Sequence, residues 1–341
     1  MRLQQIIDQH WYHKPKLGLT IILWPLSLGF ALSAAMRRCL FKLKLKRTIH
    51  LPVPVVVIGN ISVGGAGKTP LTKALAQQLQ DNGYPVGIIL RGYKGSNSKA
   101  RVVNPLDSSL EVGDEALIYA KAGFPVAISP QRVAAGTCLL QHYPQLKIII
   151  ADDGLQHYQL ARDLEICVID QSRMFGNHCL LPMGPLREPL SRLKQVDAIV
   201  VNGTPESQGT ILKQLKPYSN ELYFQHLQLL YFYNPQSGEK VDAAYFAKQK
   251  VQALAGIGNP QRFFKFLADQ GIIIAEKHKF PDHYHYQAQD LNRLNPEYAI
   301  ITTEKDYTKL AALNCANIWI AMVAARLNNS LLYQKIITLI K

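Results

Sequence analysis

Short apolar runs alternate with amphipathic stretches along most of the chain beyond residue 47. The runs cover residues 53–58, 86–90, 125–129, 147–151, 165–169 and 197–201. Continuous apolar runs of this length, separated by helical stretches, are typical of a parallel sheet that helices cover on both faces. The pattern therefore predicts an α/β fold built on a mostly parallel sheet.

The pattern changes after about residue 205, where the chain becomes rich in Gln and Tyr. Residues 222–233 have the pattern of an extended chain, and a turn follows at 234–238. A second α/β pattern then begins, with strands predicted over 251–255, 272–275 and 299–302 and helices over 261–270 and from Thr303 onwards. We predict four parts: an N-terminal anchor over 1–47, the main domain over 48–220, a hinge or β-ribbon linker over 221–250, and a smaller α/β domain over 251–341.

The anchor contains twenty uncharged residues, 17–36, which as a helix would extend about 30 Å. That length just crosses a bilayer, but Pro25 would kink the helix, so spanning the membrane and lying within its surface both stay open. A buried core helix and a cleaved signal peptide are weaker alternatives. The basic residues that follow place the rest of the chain in the cytoplasm by the positive-inside tendency; they are Arg37, Arg38, Lys42, Lys44, Lys46 and Arg47.

Composition and charge support this interpretation. With 48% hydrophobic and 18% charged residues in 341, the chain is globular, which excludes a disordered protein. Of the net charge of +14, much lies in the first fifty residues, where nine Lys or Arg face Asp8 alone. These charges border an apolar segment and do not interleave with aromatics, which favours a membrane surface over nucleic acid. The five cysteines are scattered without metal-ligand spacing, which indicates a reducing compartment and no zinc site.

A glycine-rich loop between the run 53–58 and the helical stretch 70–80 predicts a nucleoside-triphosphate site. Closely spaced glycines let backbone N–H groups converge on phosphate at a helix start. Lys68 would reach the β and γ phosphates and Thr69 would offer its hydroxyl to Mg²⁺. The usual pattern opens with glycine, where this chain has serine, and a flexible structural loop is the alternative. The loop residues are Ser62, Val63, Gly64, Gly65, Ala66, Gly67, Lys68 and Thr69.

Two pairs of adjacent acids follow in positions suited to a phosphate-loop enzyme. Asp152 and Asp153 come directly after the run 147–151, where carboxylates would face the ligand crevice and handle Mg²⁺. Turn formation or helix capping is the alternative. Asp114 and Glu115 precede a predicted helix over 116–121, where a general base or metal carboxylate and a simple helix cap are equally good interpretations.

Residues 280–286 concentrate His283 and His285 with an acid and aromatic rings. Without a third ligand nearby in sequence, a positioning or proton-handling role is favoured over metal binding, and aromatic packing is the alternative. Arg91 and Arg187 are candidates for phosphate contacts, although surface salt bridges explain them equally well.

Taken in order, these segments resemble the tetraacyldisaccharide 4'-kinase family, the membrane-associated lipid A kinases of Gram-negative bacteria. The resemblance is carried by the apolar N-terminal segment and by residues 59–70, 91–93, 112–115, 152–157, 181–188, 280–283 and 303–306. The family typically has serine or threonine where this chain has Ser62. The departures are Leu90, where the family often has serine, and Tyr284 and His285.

The resemblance implies a P-loop NTPase-like fold, ATP as donor, Mg²⁺ as cofactor, and an acylated glucosamine disaccharide 1-phosphate as acceptor, phosphorylated at its 4'-hydroxyl. It implies that Asp114 activates this hydroxyl with help from His283, and that Asp152, Asp153 and Glu115 surround the metal and phosphates. It also implies the cytoplasmic face of the bacterial inner membrane, with no nucleic acid and no obligate protein partner.

A nucleotide-hydrolysing switch or metallochaperone at the membrane is the main alternative. A guanine-specific switch should carry Asn or Thr before Lys-x-Asp, but this chain has Glu239 before Lys240. A non-catalytic scaffold with a dead loop is disfavoured because Lys68, Thr69 and Asp114 are all present.

Overall fold

The computed structural model describes residues 2–13, 16–92, 99–203, 208–219, 221–313, 315 and 317–340. Tyr93, which closes the Arg91-Gly92-Tyr93 segment, lies outside the described residues. Side chains of residues 2–5 and 208 are also outside the description.

Within the described part of the chain, the strands form one sheet of thirteen. They are β1 Val55–Gly59, β2 Val86–Leu90, β3 Arg101–Val102, β4 Val126–Ile128, β5 Ile148–Asp152, β6 Leu164–Asp170, β7 Ala198–Asn202, β8 Leu222–Tyr233, β9 Lys240–Val241, β10 Lys250–Ala255, β11 Ile273–Lys279, β12 Ala299–Thr303 and β13 Ile318–Leu327. Their order is β11-β10-β12-β13-β8-β7-β6-β1-β5-β2-β4-β3, with β9 paired to β8.

The helices are α1 Arg2–Tyr12, α2 Leu17–Lys42, α3 Lys68–Asp81, α4 Ser109–Val112, α5 Asp114–Lys121, α6 Arg132–His142, α7 Gln208–Leu215, α8 Pro260–Asp269, α9 Ala288–Leu291, α10 Glu304–Leu310 and α11 Leu331–Ile337. Most strand pairs are parallel, including β1 with both β5 and β6. The predicted mostly parallel sheet covered by helices is therefore confirmed.

Strand β8 joins the two parts of the sheet. Its first residues pair in parallel with β7, and the rest of its length pairs antiparallel with β13. The segment predicted as extended chain is thus a strand that continues the sheet. The domain boundaries at 47, 220 and 250 stay predictions.

The core lies on both faces of the sheet because neighbouring residues of its central strands point in opposite directions. Val56 and Ile58 of β1 belong to one buried cluster, and Val55 and Val57 belong to the other. Helix α3 covers the first face with leucines at positions 71, 75 and 79, which are four residues apart and fully buried. This packing fixes the start of α3 directly after the glycine-rich loop.

Strand β11 is longer than predicted, because it runs to Lys279 and not only to residue 275. It lies at the edge of the sheet and pairs on one side only, with β10. An edge strand carries polar residues facing solvent, so its apolar pattern is weak in the sequence.

Helix α2 is 26 residues long and has the length and composition to cross a membrane, since a stretch of 18 residues within it has a mean hydropathy of 1.8. Large apolar residues project from it into solvent, among them Ile22 at 67% and Trp24 at 58% exposure, so it is not a buried core helix. Its other side is docked on the protein, where the hydroxyl of Ser27 donates to the carbonyl of Leu180 at 2.8 Å. The helix therefore presents an apolar surface outward while one edge is held against the main domain.

Candidate active site

The glycine-rich loop is held by side chains from β7 and β8. Asn202 donates to the carbonyl of Ala66 at 2.9 Å, and Gln225 donates to that of Gly67 at 3.0 Å. Gly67 has φ +89°, and a Cβ there would lie 1.8 Å from Nδ2 of Asn202. Ser62 pairs across an isolated bridge with Leu186, as a strand residue would, so the backbone there does not require glycine. The loop is thus rigid, which argues against a flexible structural loop.

Lys68 is the first residue of α3 and points back over the loop. Its ammonium lies 3.3 Å from Oδ1 of Asp153 and donates to the side chain of Asn60 at 3.2 Å. Arg187 contacts the same carboxylate, with Nη1 at 3.3 Å from both oxygens. Two cations and a helix N-terminus therefore surround the position that a phosphate would occupy.

The two neighbouring aspartates at the end of β5 differ in protonation. Asp152 is buried and accepts from the hydroxyl of Tyr119 at 2.6 Å, and burial together with the charge of Glu115 raises its pKa to about 7. Burial would also raise the pKa of Asp153, but Lys68 and Arg187 outweigh it and lower that pKa. Asp153 is thus ionised at neutral pH, whereas Asp152 changes its charge near neutral pH.

Asp114 begins α5 directly after Gly113, whose φ of +88° ends the preceding turn. Gly113, and not Asp114, occupies the N-cap position of α5. The Asp114 carboxylate lies 3.1 Å from Nδ1 of His283. Nζ of Lys305 lies 3.2 Å from Nε2 of the same imidazole. An ammonium has only donors, so Nε2 accepts and the ring proton sits on Nδ1, which donates to Asp114. This contact favours the functional interpretation over a helix cap.

The Asp114 carboxylate is charged despite being only 6% exposed. Burial alone would raise its pKa, but the hydrogen bond from His283 and the charges of Lys309 and Lys305 outweigh burial and lower the pKa. Asp114 is therefore an ionised acceptor at neutral pH.

Two cavities flank Lys68. The first has a volume of about 960 Å³, and its lining joins the loop, both acid pairs and α2; it includes Phe30, Arg37, Gly65, Lys68, Arg91, Asp114, Glu115, Asp152, Asp153, Arg187 and His283. The second, of about 530 Å³, lies on the Thr69 side, where Ile257, Phe263 and Phe266 supply apolar walls. The structure thus brings most of the predicted site residues together around these two cavities, but Ser62 and His285 line neither of them. The roles of these residues stay predictions.

The donors around the loop suit a magnesium–phosphate complex. In the described ranges no three His, Cys, Asp or Glu residues form a metal-holding group of their own. Mg²⁺ in such sites takes one or two carboxylates and completes its shell with phosphate oxygens and water. Thr69, Glu115 and Asp152 line the two cavities beside the loop, so the residues present fit this requirement.

Several residues that shape the site were not predicted. Arg132 is buried and donates to the backbone oxygens of Asp152 at 3.2 Å and Asp153 at 3.3 Å, and burial lowers its pKa to about 10. Tyr119 and Asn202 likewise carry no motif of their own. His157 ends the segment 152–157 and has no predicted role of its own. Burial and the charge of Arg132 lower its pKa to about 3, so the ring is neutral. No local signal marks such residues, because their contacts are made across the sheet.

Comparison with known proteins gives consistent matches over nearly the whole chain. Residues 19–341 match the family model described as tetraacyldisaccharide-1-P 4'-kinase. A tetraacyldisaccharide 4'-kinase of Chromobacterium violaceum is 46% identical over 95% of this chain and 94% of its own length, and one of Methylobacillus flagellatus is 42% identical over 95% and 93%. A crystal structure of LpxK from Aquifex aeolicus in complex with ATP is similar with a TM-score of 0.77 at 29% identity, covering 95% of this chain and 100% of that one.

Proposed function

The chain belongs to the tetraacyldisaccharide 4'-kinase family, whose members phosphorylate the 4' position in lipid A biosynthesis, and we propose that Asp114 is the base of that reaction. The protein is an ATP-dependent kinase, as the resemblance implied. The acceptor is a glucosamine disaccharide, and we assign its 4'-hydroxyl to the first cavity.

One observation supports this assignment best: a single cavity is lined by the phosphate loop, by Asp114 and by one face of α2. The acceptor carries acyl chains, and each CH₂ withdrawn from a bilayer costs about 0.8 kcal/mol, so its sugar must meet ATP near the membrane. Phe30 and Arg37 of α2 form part of the cavity wall, while the outward face of the same helix is apolar. The acyl chains can then stay in the bilayer while the sugar enters the cavity.

In the proposed reaction the Asp114 carboxylate accepts the proton of the 4'-hydroxyl as that oxygen attacks the γ-phosphorus. The bond between this phosphorus and the β–γ bridging oxygen breaks, and ADP leaves. His283 orients the carboxylate through its Nδ1–H. Lys68 and Arg187 face the charge that develops on the transferred phosphoryl group.

Thr69, Asp152, Asp153 and Glu115 would hold Mg²⁺ in this scheme. When bound, the ion neutralises phosphate charge. The raised pKa of Asp152 suits this role, because a carboxyl buried with Glu115 gains most from a nearby cation. We assign the nucleoside part of ATP to the second cavity, whose apolar walls lie beside Thr69 at the start of α3.

We further propose that the protein works at the cytoplasmic face of the bacterial inner membrane. The support is the exposed apolar face of α2 and the basic residues that follow it. No obligate protein partner and no nucleic acid enter this scheme.

The test uses purified full-length enzyme, γ-labelled ATP and tetraacyldisaccharide 1-phosphate in detergent. Asp114→Asn should lower kcat/KM at least about a hundredfold, because the amide cannot take the proton. Glu111→Gln is the matched control, since Glu111 is a nearby exposed acid that pairs only loosely with Arg101, at 3.7 Å. Near-normal turnover by folded Asp114→Asn would remove Asp114 as the base, and ATP hydrolysis without transfer would favour a nucleotide switch.

A further inference from the structure

Helix α1 lies against the phosphate loop, although it belongs to the part of the chain that precedes the membrane helix. The hydroxyl of Tyr12, the last residue of α1, donates to the backbone carbonyl of Val63 at 3.2 Å. The guanidinium of Arg173 lies over the Tyr12 ring, 4.9 Å from its centroid. The proposed reaction uses neither side chain, so this contact needs an explanation of its own.

The end of α1 is seated on the segment 177–186, which lies between β6 and β7. The indole N–H of Trp11 donates to the carbonyl of Pro182 at 3.1 Å, and the Trp11 carbonyl accepts from a backbone N–H of the same segment at 2.7 Å. Helix α2 docks on this segment too, through the hydroxyl of Ser27. Both N-terminal helices are therefore fixed to one segment, and this places Tyr12 at the phosphate loop.

The same segment holds the loop residue that Tyr12 contacts. The backbone N–H of Val63 donates to the carbonyl of Pro185 at 2.8 Å, so both backbone polar groups of Val63 are bound. The Val63 carbonyl and the Gly64 N–H belong to one trans peptide and point in opposite directions. Because the carbonyl is held towards α1, the Gly64 N–H is directed away from α1. Gly64 lines the first cavity together with Lys68.

Glycine makes this peptide easy to turn unless something holds it. Gly64 has φ +106°, and glycine adopts positive and negative φ about equally readily. A rotated peptide would place a carbonyl oxygen where an N–H now points, and an oxygen there would repel phosphate instead of binding it. The hydrogen bond from Tyr12 opposes this rotation.

We propose that Tyr12 is a positioning residue for the phosphate loop: packed under Arg173, its hydroxyl fixes the peptide between Val63 and Gly64 and so couples docking of the N-terminal helices to ATP binding. This inference rests on the proposed binding of ATP phosphates by the loop. Tyr12 acts through the loop backbone, and its contribution is that of one hydrogen bond.

The experiment measures initial rates against ATP concentration, with full-length enzyme and saturating tetraacyldisaccharide 1-phosphate. Tyr12→Phe removes only the hydroxyl. KM for ATP should rise about two- to tenfold, the range expected for one ordinary hydrogen bond. The value of kcat should stay within about twofold of wild type, because the loop would hold the ground state and the transition state less well by the same amount. Equilibrium binding of labelled ATP without acceptor should weaken by the same factor as KM.

Tyr333→Phe is the matched control. The Tyr333 hydroxyl donates to the carbonyl of Gln78 at 3.2 Å, which is the same kind of bond at the same distance but near the other end of α3. Both variants should lower the unfolding temperature by a similar amount, whereas only Tyr12→Phe should raise KM for ATP. An equal rise in the control, or an unchanged KM in Tyr12→Phe, overturns the inference.

Arg173→Met tests the group that packs on the Tyr12 ring. It should also raise KM for ATP, and the double variant with Tyr12→Phe should be no worse than the larger single variant, because both changes act on one contact. Losses that multiply would show that the two residues act separately, which also overturns the inference. Near-normal transfer by Lys68→Ala would instead remove the loop as the phosphate site, so the two failures are distinguishable.

Discussion

Gly258 gives a sharp test of how the two parts of the chain meet at the phosphate loop. It lies in the turn between β10 and α8, and its backbone is not in the left-handed region. An added Cβ would sit 2.6 Å from the backbone nitrogen of Gly65 and 3.3 Å from its Cα. Alanine would therefore be accepted by the local backbone but would collide with the loop.

The size of the effect follows from this contact. Reaching an ordinary separation of 3.4 Å requires a shift of about 0.8 Å between two backbone segments. Overpacking of this kind typically costs about 1–3 kcal/mol. At 1.36 kcal/mol for each factor of ten, Gly258→Ala should lower kcat/KM for ATP by about 5-fold to 150-fold.

Initial rates against ATP concentration, with saturating acceptor, measure this loss. Thermal unfolding in detergent should change by no more than a few degrees, because the added methyl disturbs one contact. Gly209→Ala is the matched control, since nothing lies within 4 Å of a Cβ at that helical position. Wild-type ATP kinetics in folded Gly258→Ala would show that the predicted collision with Gly65 does not affect ATP binding, and an equal loss in the control would show that the effect is not specific to this contact.

Three further outcomes are expected. Lys68→Ala should lower phosphoryl transfer at least about a hundredfold in the labelled-ATP assay while unfolding at the wild-type temperature; near-normal transfer would contradict its role at the phosphates. Asp152→Asn should raise the unfolding temperature more at pH 8 than at pH 5. The pKa of the Asp152 carboxyl rises from 3.8 to about 7 on folding, so the wild-type protein loses stability as pH increases through that window and the asparagine variant does not; an equal change at both pH values would argue against this pKa shift. Trp24→Asp combined with Leu28→Asp should move the protein from the membrane pellet towards the soluble fraction. The two side chains are 58% and 48% exposed, and aspartate costs about 3 kcal/mol at the centre of a membrane helix; unchanged sedimentation would count against the anchor.

Much of the fold could be predicted because the central strands are buried on both faces. Such strands are continuous apolar runs, and the run at 86–90 matches β2 residue for residue. Edge strand β11 was predicted too short, because one-sided pairing leaves polar residues in its pattern. The order of strands in the sheet has no such local signal, so the sequence left open that β1 would lie between β5 and β6.

The phosphate loop could be predicted from local sequence, because its eight residues are contiguous and its turn, helix start and lysine depend on local chemistry. The apolar helix and its basic border could be predicted too, because they are matters of composition and length. The surroundings of the proposed base, in contrast, depend on the tertiary structure. Asp114 and His283 are 169 residues apart and meet because sheet order and the packing of α5 on α10 bring their segments together. The charge state of Asp114 depends on the same packing, since burial and the lysines of α10 act on it through space.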